Sequence, residues 1–286
     1  MMTLREALKD AEDKKVAIGH FNISEFAALN GIVRAAKELN APVVIGASEG
    51  EGKFMRLKRF AALIKAVCEE LNHPIFINLD HAHSLEWAKG AAEAGFDSIL
   101  FDGAKLPLEE NIRATKEVVE TVKSIDSSIL VEGEIGFIGT SSEVREGIPE
   151  GLALTDPEDA KRFVEETGVD LFGPSFGNVH GMMPGGHDPE LNITHLEKIV
   201  AAVNVPLVLH GGSGNSDNDF KEAIKAGVRI VHINTEIRLA WRKALEESLG
   251  KNPNEVAPYK LLAGSEEAVY QVVFKKLKLF SGGDSM

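Results

Sequence analysis

Short apolar runs rich in β-branched residues alternate with longer amphipathic segments along the chain. Such runs are typical of strands buried on both faces, and the small or polar residues that close them are typical of strand ends. The runs are VAIGHFN from Val16, PVVIGAS from Pro42, PIFINLDH from Pro74, SILFDG from Ser98, LVEGEIG from Leu130, LFGPSFG from Leu171, PLVLHGG from Pro206 and RIVHINT from Arg229. The pattern therefore predicts eight strands.

The segments between these runs have the spacing of amphipathic helices. In EFAALNGIVRAAKELN, apolar residues from Phe26 to Leu39 recur at helical intervals. DPEDAKRFVEETG begins with an N-cap aspartate and a proline at the first helical position. The C-terminal stretch EEAVYQVVFKKLKLF also has an apolar helical face, which is expected to dock on its own barrel rather than on another subunit.

Strict alternation of strands and helices predicts a parallel sheet, and eight such units predict closure into a (β/α)8 TIM barrel. A doubly wound open sheet is the alternative architecture. It more often has fewer strands and a glycine-rich fingerprint after the first strand, where this chain has HFNISEF. The 286 residues fit one barrel and no linker-like tract divides them, so a single domain over residues 1–286 is expected.

Composition and charge narrow the range of partners. With 44% hydrophobic residues the chain can form a large core, and its formal net charge of -13 opposes attraction to a nucleic acid backbone. Small phosphate esters stay compatible, because backbone N–H groups can supply local positive potential. The single cysteine, Cys68, excludes an intramolecular disulfide and a thiolate metal cage. No signal peptide or membrane-spanning run is evident, so a cytoplasmic protein without membrane contact is expected.

Polar residues gather where the predicted strands end. The set comprises Asp80, His81, Asp102, Glu132, Glu134, His180, His210, His232, Asn234 and Thr235. Because the carboxyl ends of barrel strands form one rim, these side chains are expected to converge there.

Three histidines of this set, His81, His180 and His210, come from different strand ends. Neutral imidazoles around one open position are typical of catalytic zinc sites. The alternative is that each histidine is a hydrogen-bonded structural residue or an exposed loop residue. The flanking residues favour the metal, since Asp80 precedes the first histidine and glycine follows the other two.

The segments HGGSGN and HINTE lie in the last two βα loops, where barrels often bind phosphate. Gly211, Gly212 and Gly214 let the backbone approach an anion, and Ser213 can donate its hydroxyl. An ordinary tight turn is the alternative. Asp80 fits either a general acid or base beside the metal, or a carboxylate that orients a histidine ligand, and the spacing leaves both open.

Several ordered motifs carry a family resemblance. NLDHAHS, FDGAKLPLEENI, VEGEIG, SFGNVHG and LVLHGGSG follow one another across the strand ends, and together they resemble the class II fructose- and tagatose-bisphosphate aldolase family. The resemblance extends from the Asn22 strand to the Thr235 strand. It implies reversible aldol cleavage of a ketose 1,6-bisphosphate, with fructose favoured over tagatose 1,6-bisphosphate. The implied products are dihydroxyacetone phosphate and glyceraldehyde 3-phosphate, and the implied assembly is a homo-oligomer.

The resemblance also implies roles for individual residues. His81, His180 and His210 would hold Zn²⁺, which polarises the ketose carbonyl in place of a lysine Schiff base, and Asp80 would take the proton of the C4 hydroxyl. Asp102 matches an acidic position that holds a second divalent or a monovalent cation in some members, as does Glu134. The implied substrate contacts are Asn22, Ser48, Gly181, Gly211, Gly212, Ser213, His232, Asn234 and Thr235.

The chain departs from the family pattern at several positions. His232 replaces the usual asparagine, the variable position is Asn234, and Pro184 stands where a lysine often lies near the phosphate. His187 and His232 are the candidates to supply the missing positive charge. The long stretch GTSSEVREGIPEGLALTDPED, expected to form a mobile lid, has serines where loop acids are usual. These serines are Ser141 and Ser142, and the candidate substitutes are Glu143 and Glu146.

Two further hypotheses compete with the aldolase. A metal-dependent hydrolase or isomerase is motivated by the His-x-His pair of His81 and His83, although such enzymes usually carry this pair on the first strand. A non-catalytic sugar-phosphate-binding barrel is motivated by the missing loop acids and lysine. Measuring metal content together with carbon–carbon cleavage distinguishes these two hypotheses from the aldolase.

Overall fold

A computed structural model describes residues 2–139, 143–145, 147, 151–184 and 188–283. Its strands form a closed parallel barrel in sequence order, in which the first strand pairs with the last, for example Gly19 with Val231. The strands are β1 Ile18–Asn22, β2 Val43–Ser48, β3 Ile75–Ala82, β4 Ser98–Phe101, β5 Leu130–Ile135, β6 Leu171–Pro174, β7 Leu207–Leu209 and β8 Val228–His232. The predicted (β/α)8 barrel is confirmed, and the open sheet is excluded.

Helices surround this barrel and connect its strands. They are α1 Leu4–Lys14, α2 Phe26–Leu39, α3 Glu49–Met55, α4 Leu57–Leu71, α5 Leu85–Ala94, α6 Leu108–Ile125, α7 Pro157–Thr167, α8 Ile193–Ala202, α9 Asp217–Ala226, α10 Thr235–Lys251 and α11 Pro258–Phe280. Leu4 and Leu8 of α1 pack in a small cluster with Val44 and Phe76, so α1 closes the amino end of the barrel. The opposite, carboxyl end is left for chemistry.

Most of the helical features predicted from the sequence are present in the structure. Asp156 caps α7 by accepting hydrogen bonds from the backbone of its first turn. The C-terminal helix α11 packs on the protein's own barrel, with Val273 and Leu277 buried. Phe26 is the exception, because at the first position of α2 its side chain is 59% exposed. No helix within the described ranges combines the length and apolar character needed to cross a bilayer.

Asp170, just before β6, joins three elements at the amino end of the barrel. It accepts hydrogen bonds from the Val131 N–H at 2.9 Å and Arg5 at 2.6 Å, and forms an ion pair with Lys123 at 2.6 Å. Burial raises the pKa of this carboxyl, but the three donors outweigh burial, so the pKa lies below its usual range. The ionised form is therefore favoured in the folded protein.

Asp170→Asn is expected to lower the free energy of unfolding at pH 7 by about 2 kcal/mol, because charge-assisted hydrogen bonds are lost. A depressed folded pKa stabilises the protein above the unfolded pKa of about 4, and this contribution disappears as pH falls through the folded value. Urea unfolding from pH 7 down to pH 3 measures the difference. Asp10→Asn, at an exposed pair with Lys14, is the control and should change little. An undiminished difference at pH 3 would contradict the prediction.

Candidate functional site

Asp80 and His81 both face the centre of the rim, which regular strand alternation does not allow. Successive side chains of a strand point to opposite faces. In β3 the register with β4 shifts between Leu79 and Ala82, and His81 has a left-handed φ of 56°. This irregularity breaks the alternation locally and brings both side chains to the same side.

The rings of His81, His180 and His210 lie together at the carboxyl end of the barrel. Their centroids are 4.8 Å apart for His81 and His180, 4.9 Å for His81 and His210, and 6.2 Å for His180 and His210. Among the described residues, ligand atoms of Asp80, His81 and His210 lie within 4.8 Å of one another, whereas His180 is not part of this tight group. The structure thus brings the three histidine rings together, and the ligand atoms of His81 and His210 lie in the tighter group.

Each of two histidines has one nitrogen held by a carboxylate and the other unpartnered. His210 Nε2 lies 2.7 Å from Glu132 Oε1, and His81 Nδ1 lies 3.1 Å from Asp102 Oδ2 and 3.4 Å from Glu134 Oε2. The remaining nitrogens, His210 Nδ1 and His81 Nε2, are buried and have no hydrogen-bond partner among the described residues. Carboxylate-supported imidazoles with a free nitrogen are the usual surroundings of a bound metal ion. These residues therefore fit a divalent cation.

The electrostatic surroundings act differently on the three histidines. Burial lowers the pKa of His81, but Asp80, Asp102 and Glu134 outweigh burial and raise it to about 10. Burial and the nearby His81 lower the pKa of both His180 and His210 to about 3. The latter two are neutral at pH 7, which is the form that binds metals.

Asp80 has one oxygen held and one free. Its Oδ2 accepts a hydrogen bond of 2.9 Å from Asn22 Nδ2. Among the described residues, its buried Oδ1 has no hydrogen-bond partner of good geometry, and it lies 3.4 Å from His232 Nδ1 and 3.6 Å from His81 Nε2. Burial raises the pKa of Asp80, while His81 and His232 lower it more, so the carboxylate is ionised. Since Asp102 and Glu134 already support His81, the free oxygen of Asp80 favours the proton-accepting role.

Most of the predicted site residues line one pocket of about 20 Å³ beside this cluster. Its lining comprises Asn22, Asp80, His180, Gly181, His210, Gly211, Ser213, His232, Asn234 and Thr235. A neighbouring cavity of 270 Å³ is lined by Ser48, His81 and Asp102, together with Lys105 and Arg238. Gly212 is absent from the described lining of both cavities, and its N–H donates to the carbonyl of His232, the last residue of β8, at 3.1 Å.

The predicted phosphate loop has a tightly defined backbone. Gly211 has a φ of 63°, and a Cβ there would lie 2.5 Å from the Val179 carbonyl oxygen, so the position requires glycine. Ser213 Oγ accepts the N–H groups of Asn234 at 3.3 Å and Glu236 at 3.2 Å. This serine therefore joins the last two βα loops, which fixes the backbone around the pocket.

The departures from the family pattern have mixed outcomes. Burial and His210 lower the pKa of His232 to about 4, so this residue is neutral at pH 7 and does not replace the missing lysine charge. Pro184 is exposed, as is Glu143, whose carbonyl accepts the N–H of Met182. The other departures, Ser141 and Ser142, lie outside the described residues. So do two of the candidate substitutes, Glu146 and His187.

Sequence reasoning missed His20, whose ring stacks on His232 at 3.5 Å and whose Nε2 lies 3.0 Å from Asn78 Oδ1. Its position two residues before Asn22, on the same face of β1, was the available signal. Gly46 on the neighbouring strand makes room for this stack, since a Cβ there would overlap the His20 ring.

Glu51 and Arg238 were also missed, and they form an ion pair of 2.5 Å beside the pocket. The Ser48-x-x-Glu51 spacing is a capping-box signal that pointed to the glutamate. Arg238 follows the first turn of α10, and the sequence offers no comparable signal for it.

His83 does not join the metal cluster. Its side chain is 57% exposed, its Nδ1 lies 3.7 Å from Asp102 Oδ2, and it belongs to none of the potential ligand groups among the described residues. The His-x-His pair that motivated a metal-dependent hydrolase therefore does not converge on one ion.

Comparison with known proteins agrees with this geometry. The profile described as fructose-bisphosphate aldolase class-II matches residues 2–284. A fructose-bisphosphate aldolase of Geobacillus stearothermophilus is 35% identical over 283 residues, covering 98% of this chain and 96% of the relative. One of Staphylococcus aureus is 35% identical over 286 residues, covering 98% and 97%. The crystal structure of the YdjI aldolase from Escherichia coli K12 superimposes with a TM-score of 0.82 at 31% identity, covering both chains completely.

Proposed function

This chain belongs to the class II fructose-bisphosphate aldolase family and catalyses aldol cleavage of a ketose bisphosphate, and from that premise we propose fructose 1,6-bisphosphate as its substrate. The products are then dihydroxyacetone phosphate and glyceraldehyde 3-phosphate. The observation that carries the cleavage chemistry is the ionised Asp80 oxygen, buried beside the three histidines and without a hydrogen-bond partner among the described residues. The bacterial relatives are named fructose-bisphosphate aldolases, which supports fructose over tagatose bisphosphate.

We propose His81, His180 and His210 as the zinc ligands. The unpartnered buried nitrogens of the first and third, and the neutral state of the second and third, support this assignment. When bound, zinc acts as a Lewis acid that lowers the cost of negative charge developing on the ketose as its bond breaks. Asp102 and Glu134, which with His81 form a second compact group of potential ligands, are the proposed site of a further cation.

Asp80 is the proposed base for the bond-breaking step. Its free Oδ1 accepts the proton of the C4 hydroxyl as the C4–O bond becomes a carbonyl. The electron pair of the C3–C4 bond then stays on the dihydroxyacetone phosphate half, which takes up a proton from solvent at C3, while Asp80 releases its proton to solvent. In condensation the same carboxyl returns the proton to the new hydroxyl. The hydrogen bond from Asn22 keeps the other oxygen in place during both directions.

The two ends of the substrate find different surroundings. The backbone of Gly181, Gly211 and Ser213 lines the small pocket and is proposed to hold the dihydroxyacetone phosphate end. The larger cavity is lined by Lys105 and Arg238, whose positive charges suit a second phosphate. Backbone donors beside the small pocket and side-chain cations beside the larger cavity support a bisphosphate rather than a monophosphate.

A cleavage assay on fructose and tagatose 1,6-bisphosphates, with and without a chelator, tests the proposal. We expect faster cleavage of the fructose epimer, loss of activity in excess chelator and recovery on adding zinc. Borohydride with substrate should leave the protein unmodified, because no Schiff base forms. Activity that persists in excess chelator would overturn the zinc assignment. Bound zinc and ligand without carbon–carbon cleavage would support the non-catalytic alternative.

The homo-oligomer, the single domain and the cytoplasmic location stay predictions.

A further inference from the structure

Four polar side chains form a continuous chain on one side of the site. Arg238 donates to Glu51 Oε1 at 2.5 Å, and Asn22 Nδ2 donates to both Glu51 Oε2 and Asp80 Oδ2 at 2.9 Å. From this arrangement we infer that Glu51 is a positioning residue, which fixes the Asp80 carboxylate through Asn22. The inference rests on the proposed role of Asp80 in cleavage.

Glu51 is itself held firmly. Its side chain is only 10% exposed, and besides Arg238 and Asn22 it accepts the Ser48 N–H at 2.8 Å and the Ser48 hydroxyl at 2.9 Å. Both carboxylate oxygens are therefore engaged, one by the guanidinium and the other by three donors. A carboxylate with this many donors has a single orientation.

The amide of Asn22 is oriented by the two acids that it bridges. Its nitrogen carries two hydrogens, and one points to Glu51 while the other points to Asp80. An inverted amide would place the carbonyl oxygen against two carboxylate oxygens, which is unfavourable. The negative charge on Glu51 thus keeps a donor, and not an acceptor, aimed at Asp80.

Fixing one oxygen of Asp80 determines where the other one lies. Asp80 Oδ2 has Asn22 as its donor, and Oδ1 is the unpartnered atom proposed to accept the substrate proton. Rotation of the carboxylate would move this atom from its position beside the histidines. A displacement of about 1 Å at a reacting group can cost roughly a hundredfold in rate.

The experiment has to distinguish the positioning role of Glu51 from a purely structural role at the start of α3. Glu51 closes the capping box at the start of α3 with Ser48. Glutamine also serves at this position of a capping box, so Glu51→Gln keeps the cap while removing the charge that orients Asn22. Glu6→Gln makes the same change in the capping box of α1, at the amino end of the barrel, and is the matched control.

The test combines two reactions of each variant. Cleavage of fructose 1,6-bisphosphate needs Asp80, whereas exchange of carbon-bound hydrogen of dihydroxyacetone phosphate with D₂O involves no C4 hydroxyl. We expect Glu51→Gln to lower kcat for cleavage by roughly ten- to hundredfold, with KM little changed and exchange retained. Glu6→Gln should change neither reaction. In an Asp80→Asn background, Glu51→Gln should add little further loss.

Wild-type kcat in Glu51→Gln would overturn the inference, as would an equal loss of cleavage and exchange, which indicates general damage to the pocket. If Glu51→Gln proves too unstable to assay, Glu51→Asp, which keeps an acid at this position but shortens its reach to Asn22, must show the same split between the two reactions. Absence of cleavage by the wild-type protein would instead overturn the proposed function, and the positioning role with it.

Discussion

Asp80→Asn should lower kcat for cleavage of fructose 1,6-bisphosphate by about a thousandfold, the range of a lost general base. The substitution keeps the shape of the side chain and an oxygen for the Asn22 hydrogen bond, but it removes the basic carboxylate beside the histidines. Because that carboxylate has no role in releasing carbon-bound hydrogen from dihydroxyacetone phosphate, exchange with D₂O should continue. Steady-state cleavage kinetics and NMR-detected exchange measure the two effects.

Asp97→Asn is the matched control for this prediction. Asp97 is a partly buried aspartate at the opposite end of the barrel, where it accepts the Ile77 N–H at 2.7 Å. Its replacement should leave kcat unchanged even if stability falls. A kcat for Asp80→Asn within a few-fold of wild type would rule out Asp80 as the base.

His210→Ala should reduce bound zinc from about one ion per chain to almost none. Cleavage should fall to the level of the chelated wild-type protein. The expected cause is loss of the buried Nδ1, the unpartnered nitrogen that Glu132 orients through Nε2. Elemental analysis after exhaustive dialysis gives the metal content, and thermal unfolding shows whether the variant is folded.

His195→Ala provides the comparison for the metal content. His195 lies on α8, where its Nε2 is 2.7 Å from the Thr155 carbonyl, away from the three ligands. The His195→Ala variant should keep its bound zinc and its cleavage activity. Full zinc occupancy in folded His210→Ala would remove His210 from the ligand set.

The barrel was predictable because its strands are buried on both faces. Continuous apolar runs such as that of Val43–Ser48 differ clearly from helical spacing, and their order leaves few topologies. The grouping of polar residues at the rim was also predictable, because the carboxyl ends of all the barrel strands lie at the same end of the barrel. Phe26 is exposed although its spacing places it on the apolar face of α2. Spacing alone does not show at which residue a helix begins to pack against the rest of the protein.

Parts of the site were not predictable from local sequence. The left-handed backbone at His81 coincides with the register shift between β3 and β4, and no residue type near it signals this irregularity. The pair of Glu51 and Arg238 joins α3 to α10 across 187 residues, so only the folded chain reveals it. The neutral state of His232 likewise depends on burial, which composition does not give.

The close fit of Gly46 against the His20 ring has an evolutionary consequence. Any side chain at position 46 collides with that ring, and a Cβ would also lie 2.8 Å from Asn22 Oδ1. The two positions are therefore epistatic, and the order in which they mutate matters. Replacing His20 by a smaller residue first removes the closest clash, so this order costs less than introducing a larger residue at position 46 beside the intact ring.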